Sequence, residues 1–134
     1  MNFLMERLQT ICAKLGGQYY SKILPIDNYQ FTEGRYSKIE DLPKDKSAWK
    51  EFKTWDQWGG KDNHGWFRTK LTIPAELKEK ALTLIFSTFE TGWDAVNPQF
   101  FLYINGEMNQ SLDMNHREVL LCEKAKQALP MTLI

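Results

Sequence analysis

Between residues 66 and 73 apolar and polar side chains alternate almost without interruption, and Pro74 ends the run. A period of two puts successive side chains on opposite faces of an extended chain, so this segment buries one face only as a strand. Further strands are read at 81–89, 99–104, from Glu107 onward, at 116–122 and at 129–134. Short strands at intervals of about ten residues, separated by Gly, Asn and Pro, indicate an antiparallel sandwich or barrel. Asn105-Gly106 strengthens that reading, because a type I′ hairpin turn needs positive φ at both central residues. A parallel sheet would need crossover helices between the strands, and none are available here.

Ahead of the strands, Leu4, Leu8, Ile11, Cys12 and Leu15 recur at helical spacing opposite Glu6, Arg7, Gln9 and Lys14, and Gly16-Gly17 supplies a stop. Residues 1–17 are therefore an amphipathic helix. Residues 18–48, broken by Pro25, Gly34 and Pro43, read as an irregular connector carrying a strand or two. Residues 49–134 form the β-domain, and all three parts make one structural unit. A helical turn is expected at 75–80, a polar loop at 90–98 and a second short turn at 123–127. The run 129–134 reads as the beginning of a last strand; a strand left incomplete would leave an edge unpaired and favour a homodimer by edge pairing.

The chain has 134 residues, with 43% hydrophobic and 25% charged, within the range of one globular domain. Five Trp, five Tyr and eight Phe suit the packing of rings across a pleated face, and they also suit sugar-binding surfaces. Seventeen basic residues balance seventeen acidic ones without a basic cluster, which argues against nucleic acid as a partner. The longest apolar runs, 81–86 and 100–104, are far too short for a helical membrane span. Glu6, Arg7 and Gln9 interrupt any signal-peptide core, so a cytoplasmic location is expected, with Cys12 and Cys122 as free, buried thiols.

Several motifs invite chemistry and fail on their requirements. Trp55-Asp56 and Trp93-Asp94 lie near the spacing of WD-propeller repeats, but a propeller needs at least about four blades and this chain is too short. Asp62, His64 and His116 are acceptable zinc ligands, yet there are only two histidines and no paired ligand motif. Neither Cys has a neighbouring His, and no Gly-x-Ser-x-Gly elbow occurs. Asp56, Asp62, Asp94, Asp113 and Glu118 all fall in or near loops, where solvated acids are the ordinary outcome and a facing glycosidase pair the exceptional one.

The segment Trp58-Gly59-Gly60-Lys61-Asp62-Asn63-His64-Gly65-Trp66-Phe67-Arg68, running on to Ile73-Pro74, resembles a block in the N-terminal domains of glycoside hydrolase family 38 α-mannosidases. A second stretch is similar to the same family: Trp93-Asp94-Ala95-Val96-Asn97-Pro98-Gln99-Phe100, Tyr103-Ile104-Asn105-Gly106 and then 110–119. The resemblance covers roughly residues 49–126, and the chain departs from it at Ser111, where the family usually has Gly, and at Ala128-Leu129-Pro130. It implies a jelly-roll, galactose-binding-like β-sandwich that precedes a zinc-dependent catalytic domain cleaving α-mannosidic bonds. The family's zinc ligands and nucleophilic Asp belong to that later domain, so this stretch carries no catalytic residue and no cofactor. Its implied partner is the downstream catalytic domain of its own parent chain.

Physical chemistry gives the motif residues a second description. Gly59-Gly60 permits a tight turn, Trp58, Trp66 and Phe67 supply apolar surface, and Asp62 with His64, or Asp113 with Asn115 and His116, can hold loop backbones through side-chain hydrogen bonds. Carbohydrate or the catalytic domain would be met by Trp58, Asp62, His64, Trp93, Asp94, Asn97, Asp113, Asn115 and His116. A self-standing carbohydrate-binding module is the alternative function, and it requires at least one exposed Trp in a loop. A small hydrolase would require two facing carboxylates and a pocket.

Overall fold

The computed structural model describes residues 3–88, 98–126 and 130–133. These form one helix, α1 (Phe3–Gly16), and eight strands: β1 (Tyr29–Glu33), β2 (Lys50–Phe52), β3 (Gly65–Thr72), β4 (Leu82–Ile85), β5 (Phe100–Ile104), β6 (Glu107–Leu112), β7 (Glu118–Cys122) and β8 (Pro130–Leu133). The strands make a six-stranded sheet in the order β2-β1-β3-β8-β5-β6 and a two-stranded sheet of β4 and β7, and every pairing is antiparallel. The described residues are thus mainly β with one α-helix, as expected.

Register decides which side chains meet. Phe31 stands opposite Phe67 and Tyr29 opposite Phe52, so Phe31, Phe52, Phe67, Thr69 and Leu71 share one face. Phe100, Leu102 and Leu112 continue that face across β5 and β6. The apolar cluster at its centre is built on Leu102, Leu112 and Val119, with Leu71, Leu84, Phe86, Phe100, Ile104 and Leu121 packed against it. Both sheets contribute: Val119 and Leu121 lie on β7 and Leu84 on β4. Burying side chains of this size stabilises the fold by about 1.5–3 kcal/mol each. Backbone bonds from Phe86 to Arg117 (2.8 Å), Glu79 to Ala125 (2.9 Å) and Ala125 to Lys80 (2.8 Å) extend the β4–β7 pairing beyond its ladder.

The opposite face of β1 and β3 is covered locally by the chain that precedes β2. Trp49 is buried, its indole Nε1 donates to the Pro43 carbonyl at 2.9 Å, and the Arg68 guanidinium lies 3.8 Å from its ring centroid. Arg68 also donates from Nε to Gln30 Oε1 at 2.8 Å, which ties β3 to β1 on that side. Burial lowers the Arg68 pKa.

Several expectations are refined. The connector carries β1, which pairs with both β2 and β3 and so stands inside the large sheet. The helical turn after Pro74 is a single 3-10 turn, Ala75–Leu77. The final run forms β8 between β3 and β5, an interior position, and the edges of this six-stranded sheet among the described residues are β2 and β6. Cys12 is exposed on α1, not buried as expected, while Cys122 is half-buried; both are free. The apolar stripe of α1 is likewise exposed at Leu4, Leu8, Ile11 and Leu15. No helix among the described residues is long and apolar enough to cross a membrane.

Candidate functional site

The Trp-Gly-Gly loop leads into β3 and is shaped by its rings. Trp58 is half-buried and meets Phe67 edge-on at 5.1 Å and Phe100 at 5.5 Å between centroids, joining a chain of rings that runs from Phe52 through Phe31 and Phe67 to Phe100 and Phe86. Edge-to-face pairs of this kind add about 0.5–1.5 kcal/mol each beyond the area they bury. Gly60 has φ of 129°, and a Cβ on it would stand 2.8 Å from Asn63 Nδ2, which itself donates to the Gly59 carbonyl at 2.8 Å. Asp62 also has positive φ, 58°, a conformation that Asp tolerates better than most residues. The loop is held from outside through its backbone: Arg35 Nη2 donates to the Asp62 carbonyl at 3.4 Å, and the Gly34 N–H donates to the His64 carbonyl at 3.0 Å. The side chains of Asp62 and His64 are exposed at the surface of this loop.

The loop between β6 and β7 is organised by one carboxylate. Asp113 Oδ1 accepts from the backbone N–H groups of Asn115 and His116, both at 2.7 Å, and lies 3.1 Å from His116 Nδ1. The Asp113 N–H returns a bond to the His116 carbonyl at 3.2 Å. The hydrogen bond to the His116 side chain, then those from the His116 and Asn115 backbones, hold the Asp113 carboxyl below the usual Asp range. Asp113, Asn115 and His116 are therefore brought together as a self-contained turn.

Beside that turn a shallow cavity of about 300 Å³ is lined by Gln110, Asn115, His116, Arg117 and Glu118. Gln110 Nε2 donates to the Glu118 carbonyl at 3.3 Å and fixes one wall. The Tyr20 hydroxyl is shut away from solvent without a partner at ordinary hydrogen-bond geometry. Its interaction with the neighbouring Glu118 carboxylate, and then desolvation, push its pKa up to about 12. Glu118 is the carboxylate of this lining; a hydrolytic acid/base pair uses two.

A third feature escaped the sequence reading. Lys53-Thr54-Trp55-Asp56 forms a tight turn after β2, closed by Asp56 N–H to the Lys53 carbonyl at 3.0 Å and by Lys53 N–H to Asp56 Oδ2 at 2.8 Å. Trp55, at its third position, has φ of 80° and is 76% exposed. The available signal was Trp55 itself, a Trp immediately before an Asp that ends a turn, outside any alternating run.

Of the expected contact residues, Trp58 packs among core rings, Asp62 and His64 share one loop, and Asp113, Asn115 and His116 share another. Trp93, Asp94 and Asn97 lie outside the described residues. Among the described residues no three His, Cys, Asp or Glu side chains gather as a metal site. No family model matches this chain, and comparison with curated proteins and with solved structures likewise finds no match.

Proposed function

We propose that this chain is a non-catalytic accessory β-domain of a family 38 α-mannosidase, a jelly-roll-type sandwich whose partner is the zinc-dependent catalytic domain of its own parent. One observation carries the reading: the residues of the Trp-Gly-Gly block do architectural work. Trp58 wedges against Phe67 and Phe100, and within the same block Asn63 donates to the Gly59 carbonyl. The sandwich assignment is supported by an apolar cluster to which both sheets contribute. In this role the chain hydrolyses no glycoside itself, and terminal α-mannosidic bonds are cleaved by the parent.

The test pairs an aryl α-mannoside assay with a binding measurement against an isolated family 38 catalytic domain. No hydrolysis by this chain alone, together with saturable association that raises the melting temperature of the catalytic domain, is the expected result. Hydrolysis by the chain alone overturns the reading, and so does a lack of association. A carbohydrate-binding module is the second reading, favoured by the exposed loop Trp that it requires, Trp55.

A further inference from the structure

β6 is the last strand of the six-stranded sheet, and no strand among the described residues pairs with its outer edge. At the other end of the sheet β2 is three residues long and carries Lys50, whereas β6 runs for six, Glu107-Met108-Asn109-Gln110-Ser111-Leu112, with neither Lys nor Pro. Those two residues commonly blunt an edge, whose unpaired N–H and C=O groups otherwise take up another extended chain. Beside this edge two large apolar side chains stand in water: Phe101 is 62% exposed and Met108 is 55% exposed.

The register of β5 and β6 puts both on one face. Phe101 pairs with Ser111 and Tyr103 with Met108, while Phe100 and Leu102 belong to the apolar cluster, so Phe101, Tyr103, Met108 and Ser111 share the outer face. Residues three apart on a regular strand lie on opposite faces. The register shift between Leu102 and Tyr103 is what brings Met108 and Ser111 to the same side.

A strand with that property can pair with itself. In an antiparallel two-fold ladder Glu107 stands opposite Leu112 of the second copy, Met108 opposite Ser111 and Asn109 opposite Gln110, so the outward Met108 meets an outward and small partner. Met108 of the second copy then lies across Ser111 from Phe101, two strand spacings or about 10 Å away, and the two long side chains close over the serine. The symmetry axis makes this contact twice and covers both exposed apolar residues. The Glu107 carboxylates fall at opposite ends of the ladder, and seventeen basic against seventeen acidic residues leave no net charge to hold two copies apart.

We infer that this chain forms a two-fold homodimer through β6, which joins the large sheets of two copies into one, with Met108 and Phe101 as the apolar contact across the seam. This goes beyond the accessory role, which calls for no second copy.

Sedimentation equilibrium of the full chain tests the inference. A concentration-dependent monomer–dimer equilibrium is expected, and Met108→Lys should raise its dissociation constant by about tenfold or more, because a two-fold axis applies every cross-strand change twice. Met108 is exposed in the single chain, so an unchanged melting transition in dilute solution verifies that this variant folds. Adding Ser111→Glu to Met108→Lys sets opposite charges across the ladder and should restore the dimer. A wild-type chain that stays monomeric at millimolar concentration overturns the inference, as does a dimer unaffected by Met108→Lys or a folded double variant that fails to associate. These outcomes leave the accessory-domain reading standing, since that reading fails on the mannoside assay and the catalytic-domain association.

Discussion

Gly65 sits so close to Phe31 that a Cβ added to it would stand 2.6 Å from the Cε2 atom of that ring. The same Cβ would lie 3.3 Å from Cε3 of Trp58. Phe31 has little room to yield, because Phe52 and Phe67 hold it at 5.5 and 4.8 Å. Glycine is thus required where the loop enters β3 by close approach to packed rings. Gly65→Ala is expected to destabilise the chain by about 1–3 kcal/mol, the usual penalty for overpacking, and urea unfolding measures it.

Asp113 links stability to pH. Its folded pKa lies below the ordinary 3.8, so its charged form is favoured by folding. The contribution is present above the unfolded pKa and fades as pH falls through the folded one. Asp113→Asn keeps an acceptor and removes the charge. The wild-type chain should therefore melt higher than this variant at neutral pH, with the gap closing below pH 3.8. A gap that stays constant down the acid limb would show that the charge of Asp113 contributes nothing to folding.

Burial separates two leucines of the same size. Leu102 is 7% exposed at the centre of the apolar cluster, whereas Leu8 is 46% exposed on α1. Leu102→Ala should cost about 2–5 kcal/mol, the range for a truncated core Leu. Leu8→Gln should stay within about 0.5 kcal/mol of wild type, as surface substitutions do. Thermal melts of the two variants make the comparison, and a large loss in Leu8→Gln would place the helix stripe against a partner surface.

Trp55→Gly relieves a left-handed Trp at the expense of a freer unfolded chain. The relief is about 1–2 kcal/mol and the entropic cost about 0.5–1 kcal/mol, so the backbone terms favour the variant by up to about 1.5 kcal/mol. Chemical denaturation of the variant checks the sign. A clear loss of stability would mean that the indole packs more productively than its exposure suggests.

Much of the strand pattern was legible from one alternating segment, short apolar runs and the turn residues between them. The period of two in 66–73 became β3, the runs around 99–104 and 116–122 became β5 and β7, and Asn105-Gly106 took φ of 53° and 88° as a hairpin turn demands. β2 was missed, since Lys50-Glu51-Phe52 is too short to show a period and is a strand only because β1 pairs with it. At the site, Asp113, Asn115 and His116 were identified as holding a loop, because an Asx turn is a matter of neighbouring residues. Trp58 and Trp55 could not be ranked by exposure from sequence: both follow polar residues in the same Trp-rich stretch, and their fates differ by which one meets Phe67 and Phe100.

The sequence by itself determined what is local: the alternating segments, the amphipathic α1, the Asn-Gly hairpin and the balance of charge. These depend on residues within a turn or a strand of one another. Only the tertiary structure decided that β8 lies inside the large sheet, that the connector supplies β1, that Gly65 lies against Phe31, and that Trp58 is half-buried while Trp55 is largely exposed. Each follows from which distant strands pair and in what register, and a shift of one residue sends every ring to the opposite face.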